Sequence, residues 1–308
     1  PSRGLWVGGH RKAAAEAQAP QLLTRAQRIE VPKGMWNYTD PARLVADAIG
    51  ASKATTVLAD IGILQQASIN RACNAIASGE LEVAIVTGAE AKYRALRGQI
   101  EGVEISETSQ ENAEADITLR PDAELWSEVE SAAGLGMPVG FYAIMDSALR
   151  HAQGLSVGEH RDEMARTYAQ FSEIAATNPD AWVGEALTAD YIREGSAKNK
   201  MLAYPYTKLH NSQWNVDQAA ALIFCSVAVA QEMGIDRKHW IFPLAGTESN
   251  AMSVMSARRE LNRNFGFKLA GEKALSLAGK QPEDIDLMEL YSCFPQAVRV
   301  QLQELNLP

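Results

Sequence analysis

The sequence predicts an α/β fold built on a parallel sheet, and three observations support that prediction. Residues 55–88 read as strand, helix and strand, which is the order of a βαβ crossover. Residues 83–88 form a continuous apolar run, which is typical of a strand buried on both faces. Residues 240–305 repeat the order strand, helix and strand, which indicates an internal duplication.

The start of the chain is the least clear part of the pattern. Residues 1–35 contain no clear opening strand, and their alanine-rich run predicts only a weak helix. After a turn at residues 36–41, Asp40 suits a helix N-cap and Pro41 suits the first helical position. Gly50 suits the residue that ends such a helix, so we expect a short helix between Pro41 and Gly50.

The crossover begins with a short strand at Thr55–Leu58 and a turn at residues 60–63. The helix that follows carries an apolar stripe at positions i, i+3, i+4 and i+7, and Gly79 ends it. The stripe consists of Ile69, Ala72, Cys73 and Ile76. The buried strand at residues 83–88 completes the unit, so we expect its two strands to lie parallel in one sheet.

The middle of the chain has the pattern of an insertion into the sheet. Residues 99–130 are glutamate-rich and show little periodicity, which predicts a solvated loop. Two helices follow, and we expect their apolar stripes to pack in a core. The stripes consist of Phe141, Ile144, Met145, Ala148 and Leu149 in the first helix, and of Met164, Tyr168, Phe171 and Ile174 in the second.

The pattern of strands and helices then resumes. Residues 219–226 predict an apolar strand whose small residues allow close backbone approach, and Val227–Met233 predicts a helix closed by Gly234. Trp240–Ala245 predicts another strand, and a helical segment ending at Gly279 follows it.

The segment Asp286–Pro295 is the first candidate for a functional site. It predicts a short buried strand that runs into a polar cluster, followed by a helix that opens on Pro295. Val298, Leu302 and Leu305 recur on one face of that helix. Open α/β folds place their chemistry where a strand ends and a helix begins. The alternative is an ordinary strand–helix corner with a buried cysteine.

Composition narrows the possible functions. The chain has 308 residues, of which 46% are hydrophobic and 22% are charged. Its net charge is −9 and its pI is about 5.2. The sequence has no basic patch, which argues against binding of nucleic acid. No apolar run is long enough for a membrane span, and no secretory signal opens the sequence. Its three cysteines indicate reduced thiols and a cytoplasmic protein, and its five histidines show no metal-ligand spacing, so we expect no metal.

Three segments, in register along residues 36–308, resemble the thiolase superfamily. Asn70–Glu80 with Val83–Glu90 resembles the helix and the "aGGaE" strand of acetyl-CoA acetyltransferases. Val216–Gly234 resembles their "DGAAA" segment, and Asp284–Phe294 lies where thiolases carry their Asn-Glu-Ala-Phe box. The motif Tyr-Ser-Cys-Phe-Pro at residues 291–295, together with Pro-Tyr-Thr-Lys at residues 205–208, is most similar to motifs of thiolase-like proteins and lipid-transfer-type thiolases.

This resemblance implies a layered αβαβα sandwich of two similar βαβαβαββ halves with a mostly helical loop domain inserted. Residues 1–98 and 201–236 correspond to the N-terminal half, residues 99–200 to the loop domain, and residues 237–308 to an incomplete C-terminal half. We expect the natural chain to continue past Pro308, or a neighbouring subunit or a disordered tail to be involved, because exposed sheet edges favour aggregation. The resemblance also implies a homodimer.

The nucleophilic cysteine of thiolases has no counterpart at the matching place. Counted back from Gly79, it falls near residues 61–63, where Gly62 is the nearest match. A thiolase needs that cysteine at a helix start, where the thiolate is stabilised. Cys73 lies inside an apolar stripe and Cys225 in a predicted buried strand, so both are interpreted as unactivated core thiols.

The matched box leaves Tyr291 and Cys293 as candidate catalytic residues. Tyr291 replaces the asparagine that orients the oxyanion site in thiolases, and its hydroxyl suits either a hydrogen-bond donor or an acid–base group. Cys293 faces either the pocket or the core, with the core favoured by the usual burial of cysteine. The resemblance also suggests three contacts for coenzyme A, with loop or solvated residues as the alternative: Ser212, Tyr206 and Lys208.

The resemblance implies an enzyme of lipid metabolism that acts on a coenzyme A thioester and has no covalently bound cofactor. Three functions remain open. The first is thiolase-type acyl transfer, as in acetyl-CoA acetyltransferases. The second is retro-aldol cleavage of a β-hydroxyacyl-CoA, which needs no cysteine. The third is binding of acyl-CoA or lipid without catalysis, because a fold does not fix a function.

Overall fold

The computed structural model describes residues 2–106, 108–110, 113–250 and 252–307. Two compact units emerge, one of residues 1–122 and 214–248 and the other of residues 123–213 and 249–308. The described helices are α1 (Ser2–Glu16), α2 (Pro41–Ile49), α3 (Gln65–Ala77), α4 (Lys92–Glu101), α5 (Glu128–Ala132), α6 (Pro138–Ala152), α7 (Val157–Ala175), α8 (Ala189–Arg193), α9 (Val227–Glu232), α10 (Phe265–Ala278) and α11 (Pro295–Glu304). The described strands are β1 (Arg28–Pro32), β2 (Thr55–Ala59), β3 (Val83–Ala91), β4 (Ile117–Leu119), β5 (Met201–Ala203), β6 (Tyr206–Thr207) and β7 (Asp217–Cys225).

The first unit is built on a five-stranded sheet in the order β4-β2-β1-β3-β7. Strands β4, β2, β1 and β3 are parallel, and β7 is antiparallel to β3 with Val83 opposite Cys225 and Ala91 opposite Asp217. The sheet is therefore mainly parallel, and the predicted α/β class is confirmed. The crossover β2-α3-β3 is confirmed as well, although β1 lies between its two strands.

Helices cover both faces of this sheet. On one face Ile29, Val31, Val83 and Ile85 pack with residues of α1 and α2. On the other face Ala84 and Val86 pack with Ala72 of α3. Successive residues of a strand point to opposite faces, so the alternation along β3 supplies both cores.

Several local signals act as the sequence predicts. The Asp40 carboxylate accepts a hydrogen bond from Arg43 N at 2.9 Å and caps α2, and Gly50 ends that helix in the left-handed region at φ 82°. Gly279 likewise ends α10 at φ 64°, and Pro295 opens α11. Capping contacts span only a few residues, so the sequence alone specifies them.

The first 35 residues correct the prediction for the start of the chain. Residues 2–16 form α1, and residues 28–32 form β1, which lies at the centre of the sheet. Glu30 lies in the middle of β1 and is fully buried, within 3.5 Å of Arg71 and 4.0 Å of Arg28. This charged residue interrupts the apolar pattern and explains why the strand is hard to recognise.

Two predicted strands do not form within the described residues. Trp240–Ala245 is irregular throughout and follows a 3₁₀ turn at Arg237–His239, and residues 286–290 are irregular with Leu287 91% exposed. A strand needs a neighbour for its backbone hydrogen bonds, and no described strand pairs with either segment. The predicted loop at residues 99–130 contains short strand β4 and the end of α4, while its residues 107, 111 and 112 lie outside the described residues.

The second unit is helical around the small hairpin β5-β6. Ala143, Met164, Tyr206 and Phe294 form its central buried cluster. The buried faces of α6 and α7 differ from the predicted stripes. Ile144, Phe171 and Ile174 are exposed, whereas Asp146 and His160 are fully buried. Hydrogen bonds and charge pairing hold these polar groups inside, which a pattern of apolar residues does not reveal.

The assignment of the chain to thiolase halves and a loop domain stays a prediction.

No described helix combines the length and the apolar character that a membrane crossing requires.

Candidate active site

The segment Tyr291–Phe294 lies directly before α11, with Phe294 at the N-cap and Pro295 at the first helical position. The Phe294 ring is buried and stacks on Tyr142 of α6, with the ring centroids 4.3 Å apart. It also lies parallel to the Tyr206 ring, 6.0 Å between centroids. This aromatic stack fixes the segment against the helical unit, so the residues before it have a defined place.

Three reactive side chains meet at this stack. The phenols of Tyr142 and Tyr291 and the thiol of Cys293 are close enough that each group shifts the pKa of the other two. Tyr291 is 58% exposed, whereas Cys293 is half-buried and packs against the central cluster of the second unit. The group therefore has one side packed in the protein and one side open to solvent.

The environment keeps all three groups protonated at neutral pH. Burial, together with the hydrogen bonds and charge of Cys293, raises the pKa of Tyr291 to about 12. Burial also raises the pKa of Tyr142 and that of the Cys293 thiol. Tyr291 and Tyr142 are therefore hydrogen-bond donors at neutral pH, and Cys293 is a thiol and not a thiolate nucleophile.

A buried charged network lies deeper in the same unit. His160 Nε2 hydrogen-bonds the Asp146 carboxylate at 3.0 Å, and Arg299 Nη1 contacts His160 Nδ1 at 2.6 Å and Asp146 at 3.7 Å. Arg299 also donates to Gln153 and Glu163. The network links α6, α7 and α11, and so it fixes the helix that carries Tyr142 relative to the helix that follows Tyr291.

Tyr206 lies between this network and the reactive group. Its side chain is fully buried, and its hydroxyl is 3.5 Å from the carbonyl of Tyr142. Burial, with the nearby Asp146 charge, raises its pKa above the ordinary value. His210, whose ring is 6.2 Å from that of Tyr206, accepts a hydrogen bond from Thr207 N, and burial lowers its pKa to about 4, so it is neutral.

The other predicted site residues occupy different surroundings. Ser212 is exposed, and its backbone N–H donates to the carbonyl of Cys293 at 3.0 Å. Lys208 is exposed, whereas Tyr206 is inside the unit and not at an entrance. As contacts for coenzyme A, these three residues stay predictions.

Gly62 lies in the first unit, in the turn between β2 and α3, with φ 103°. No cysteine occupies this turn. Cys73 and Cys225 are half-buried, and burial raises the pKa of each thiol. The interpretation of both as unactivated thiols agrees with these surroundings.

Sequence reasoning missed Tyr142 and the charged network. Tyr142 and Asp146 are four residues apart on α6, so they lie on one helix face. A polar pair at this spacing beside an apolar stripe was the available signal. His160 and Arg299 offered no such signal, because they are 139 residues apart in the sequence.

The sequence was compared with protein families and with curated proteins. No protein-family model matches the sequence. The acetyl-CoA acetyltransferase of Methanocaldococcus jannaschii is 26% identical over 243 residues, which are 79% of this chain and 53% of that protein. The acetyl-CoA acetyltransferase of Methanothermobacter thermautotrophicus is 29% identical over 167 residues, which are 54% of this chain and 40% of that protein. The chain thus spans about half the length of the curated relatives it matches.

Two solved structures share the fold. A monomeric SCP2-thiolase-like protein type 1 from Mycobacterium smegmatis matches with a TM-score of 0.77 and 23% identity, over 100% of this chain and 60% of that chain. The Ltp2-ChsH2(DUF35) aldolase matches with a TM-score of 0.69 and 18% identity, over 99% of this chain and 72% of that chain. The curated similarities and the shared fold together support the resemblance to the thiolase superfamily, including its lipid-transfer-type thiolase-like members.

Proposed function

We propose that this protein cleaves a β-hydroxyacyl-CoA thioester by a retro-aldol reaction in which Tyr291 is the catalytic residue. The observation that carries the proposal is the cluster of Tyr142, Tyr291 and Cys293 beside the aromatic stack before α11, where Tyr291 is 58% exposed. The fold shared with an aldolase complex supports the same class of reaction.

The reaction breaks one carbon–carbon bond. The β-hydroxyl loses its proton to water and its C–O bond becomes a carbonyl, while the Cα–Cβ bond breaks. Its electron pair passes into the thioester as an enolate, and Cα then takes up a proton, so that the products are a ketone or aldehyde and a shortened acyl-CoA. The phenol of Tyr291 donates a hydrogen bond to the enolate oxygen, where negative charge develops. Tyr142, whose hydroxyl interacts with that of Tyr291, orients that phenol.

Thiolase-type acyl transfer is less well supported. It needs a cysteine thiolate to take the acyl group, and Gly62 at the matching position has no side chain. The pKa of every cysteine in the chain, Cys73, Cys225 and Cys293, is raised by burial. A raised pKa leaves little thiolate at neutral pH.

Acyl transfer is nevertheless the second candidate, because both curated relatives are named acetyl-CoA acetyltransferases. Binding of acyl-CoA without catalysis is the third. For both acyl transfer and binding without catalysis, the exposed Lys208 would suit the phosphates of coenzyme A. The homodimer and the cytoplasmic location stay predictions.

The test is direct. Purified protein is incubated with β-hydroxyacyl-CoA thioesters of increasing chain length, and mass spectrometry follows the carbonyl product and the shortened acyl-CoA. We expect both products in equal amounts and a loss of roughly 100-fold or more in kcat for Tyr291→Phe, in line with the removal of one oxyanion donor. Tyr191→Phe is the matched control, since Tyr191 is an exposed tyrosine of the same unit.

Two results would contradict the proposal. One is thiolysis of acetoacetyl-CoA to acetyl-CoA at a rate that Tyr291→Phe leaves unchanged. The other is binding of a CoA ester by calorimetry with no turnover, either by the chain alone or with a DUF35 protein added, since the aldolase neighbour pairs with one.

A further inference from the structure

The backbone of the segment that carries Tyr291 lacks the support of a sheet. Residues 286–290 form no strand, and within the described ranges no strand pairs with them. Leu287 is 91% exposed. A catalytic side chain on such a segment acts efficiently only if something else fixes its backbone, because small displacements are costly to catalysis.

The side chain of Gln301 supplies this support from the next helix. Its Oε1 accepts a hydrogen bond from Tyr291 N at 3.1 Å, and its Nε2 donates to the carbonyl of Tyr291 at 2.7 Å. One amide thus satisfies both backbone groups of Tyr291, as a neighbouring strand would do.

The amide of Gln301 is itself held in place. It is 6% exposed, and its Nε2 also donates to the carbonyl of Ala297 at 2.7 Å, one turn earlier on α11. Both N–H groups of the amide are therefore used, and the side chain is fixed against its own helix. Two residues beyond Tyr291, Ser212 N fixes the carbonyl of Cys293.

We infer that Gln301 is a positioning residue that holds the phenol of Tyr291 where the reaction needs it. The inference rests on the proposed role of Tyr291. Gln301 acts through Tyr291 and does not contact the substrate. It accounts for the placement of a reactive group on a segment without regular structure, and nothing in the sequence around Tyr291 indicates it.

The experiment compares three variants of the full chain on the β-hydroxyacyl-CoA substrate. Gln301→Met keeps the length of the side chain and removes its hydrogen bonds. We expect kcat to fall about 10- to 100-fold with KM changed less than about 3-fold, because positioning of the phenol is lost and not binding of substrate. Gln303→Met is the matched control, since Gln303 is an exposed glutamine of the same helix, and it should keep full kcat.

Gln301→Glu gives a readout that a merely structural role would not move. A protonated glutamic acid accepts from Tyr291 N and donates to its carbonyl, whereas the carboxylate only accepts. Burial raises the pKa of such a carboxyl group, so we expect kcat of this variant to rise toward the parent value as pH falls. The parent should show no such rise.

The possible results separate the two ideas. If Tyr291→Phe abolishes turnover while Gln301→Met keeps it and Gln301→Glu follows the parent pH profile, the positioning role is wrong and the proposed function stands. If Tyr291→Phe keeps full turnover, both are wrong. If Gln301→Met does not fold, the pH profile of Gln301→Glu still decides between recovery at low pH, which supports the inference, and a parent-like profile, which overturns it.

Discussion

The turn at Gly62 and the segment at Tyr291 each precede a helix, yet only one of them carries reactive side chains. The turn lies between β2 and α3 and offers backbone groups and a glycine at φ 103°. The segment before α11 offers the phenol of Tyr291 and the thiol of Cys293, which are close enough to the phenol of Tyr142 on α6 that the three groups shift one another's pKa. This difference supports the proposed retro-aldol reaction over thiolase-type acyl transfer.

The two units also differ in how they bury a charge. Glu30 in the sheet of the first unit has Arg71 at 3.5 Å and Arg28 at 4.0 Å, and burial raises its pKa. Asp146 in the second unit receives a hydrogen bond from His160 at 3.0 Å in a network that links three helices. A buried acid can thus be a poorly satisfied part of a core or a support for a site, and hydrogen bonding distinguishes the two.

The largest effect is expected at Asp146. Replacing it with alanine removes the buried carboxylate beside Arg299 and the hydrogen-bond partner of His160 Nε2, which should cost about 3–5 kcal/mol in the free energy of unfolding. Chemical denaturation followed by circular dichroism measures the loss. Glu163→Gln removes a half-exposed partner of the same arginine and should cost less than about 1 kcal/mol. Equal losses for both variants would show that the buried network is not what supports the second unit.

Tyr142→Phe should reduce kcat for the retro-aldol reaction about 10-fold. The change removes the hydroxyl that interacts with Tyr291 and keeps the ring that stacks on Phe294. In the double variant with Tyr291→Phe the loss should not exceed that of Tyr291→Phe alone, since the two hydroxyls act as a unit. Losses that multiply would instead indicate two independent catalytic groups.

Gly62→Cys tests the other side of the comparison. It places a thiol where the thiolase nucleophile is expected, but at φ 103°, where a side chain is strained. We expect about 1 kcal/mol of destabilisation and no gain of acetoacetyl-CoA thiolysis, measured by thermal melting and by release of acetyl-CoA. Appearance of thiolysis would show that the turn retains the rest of a thiolase site.

The smallest effect concerns Glu30 and pH. Its pKa is raised in the folded chain, so the native state holds this proton more tightly than the unfolded state. The contribution of Glu30 to the free energy of unfolding is therefore largest at low pH, and it is lost as pH rises through the raised pKa. Glu30→Gln should flatten that part of the stability–pH curve, measured by denaturation between about pH 4 and pH 8. An unchanged slope would mean that Arg28 and Arg71 already compensate the charge.

Local patterns in the sequence determined the parts of the fold that depend on near neighbours. The cap at Asp40, the glycine ends of α2 and α10 and the crossover through α3 follow from residues a few positions apart. The resemblance carried by residues 284–294 also selected Tyr291 and Cys293 as the candidate site. These features are readable because their interactions are encoded within one short stretch of chain.

Only the tertiary structure decided what surrounds that site. Strand β1 is hard to recognise in the sequence because Glu30 interrupts its apolar pattern, and the partner of Glu30, Arg71, lies on α3. Tyr142 meets Tyr291 from a distant helix, and Arg299 meets His160 across 139 residues. Gln301 supports Tyr291 through its side chain, where a periodic pattern predicts a strand partner. Such contacts depend on which helices pack together, and packing is a property of the whole unit and not of any local pattern.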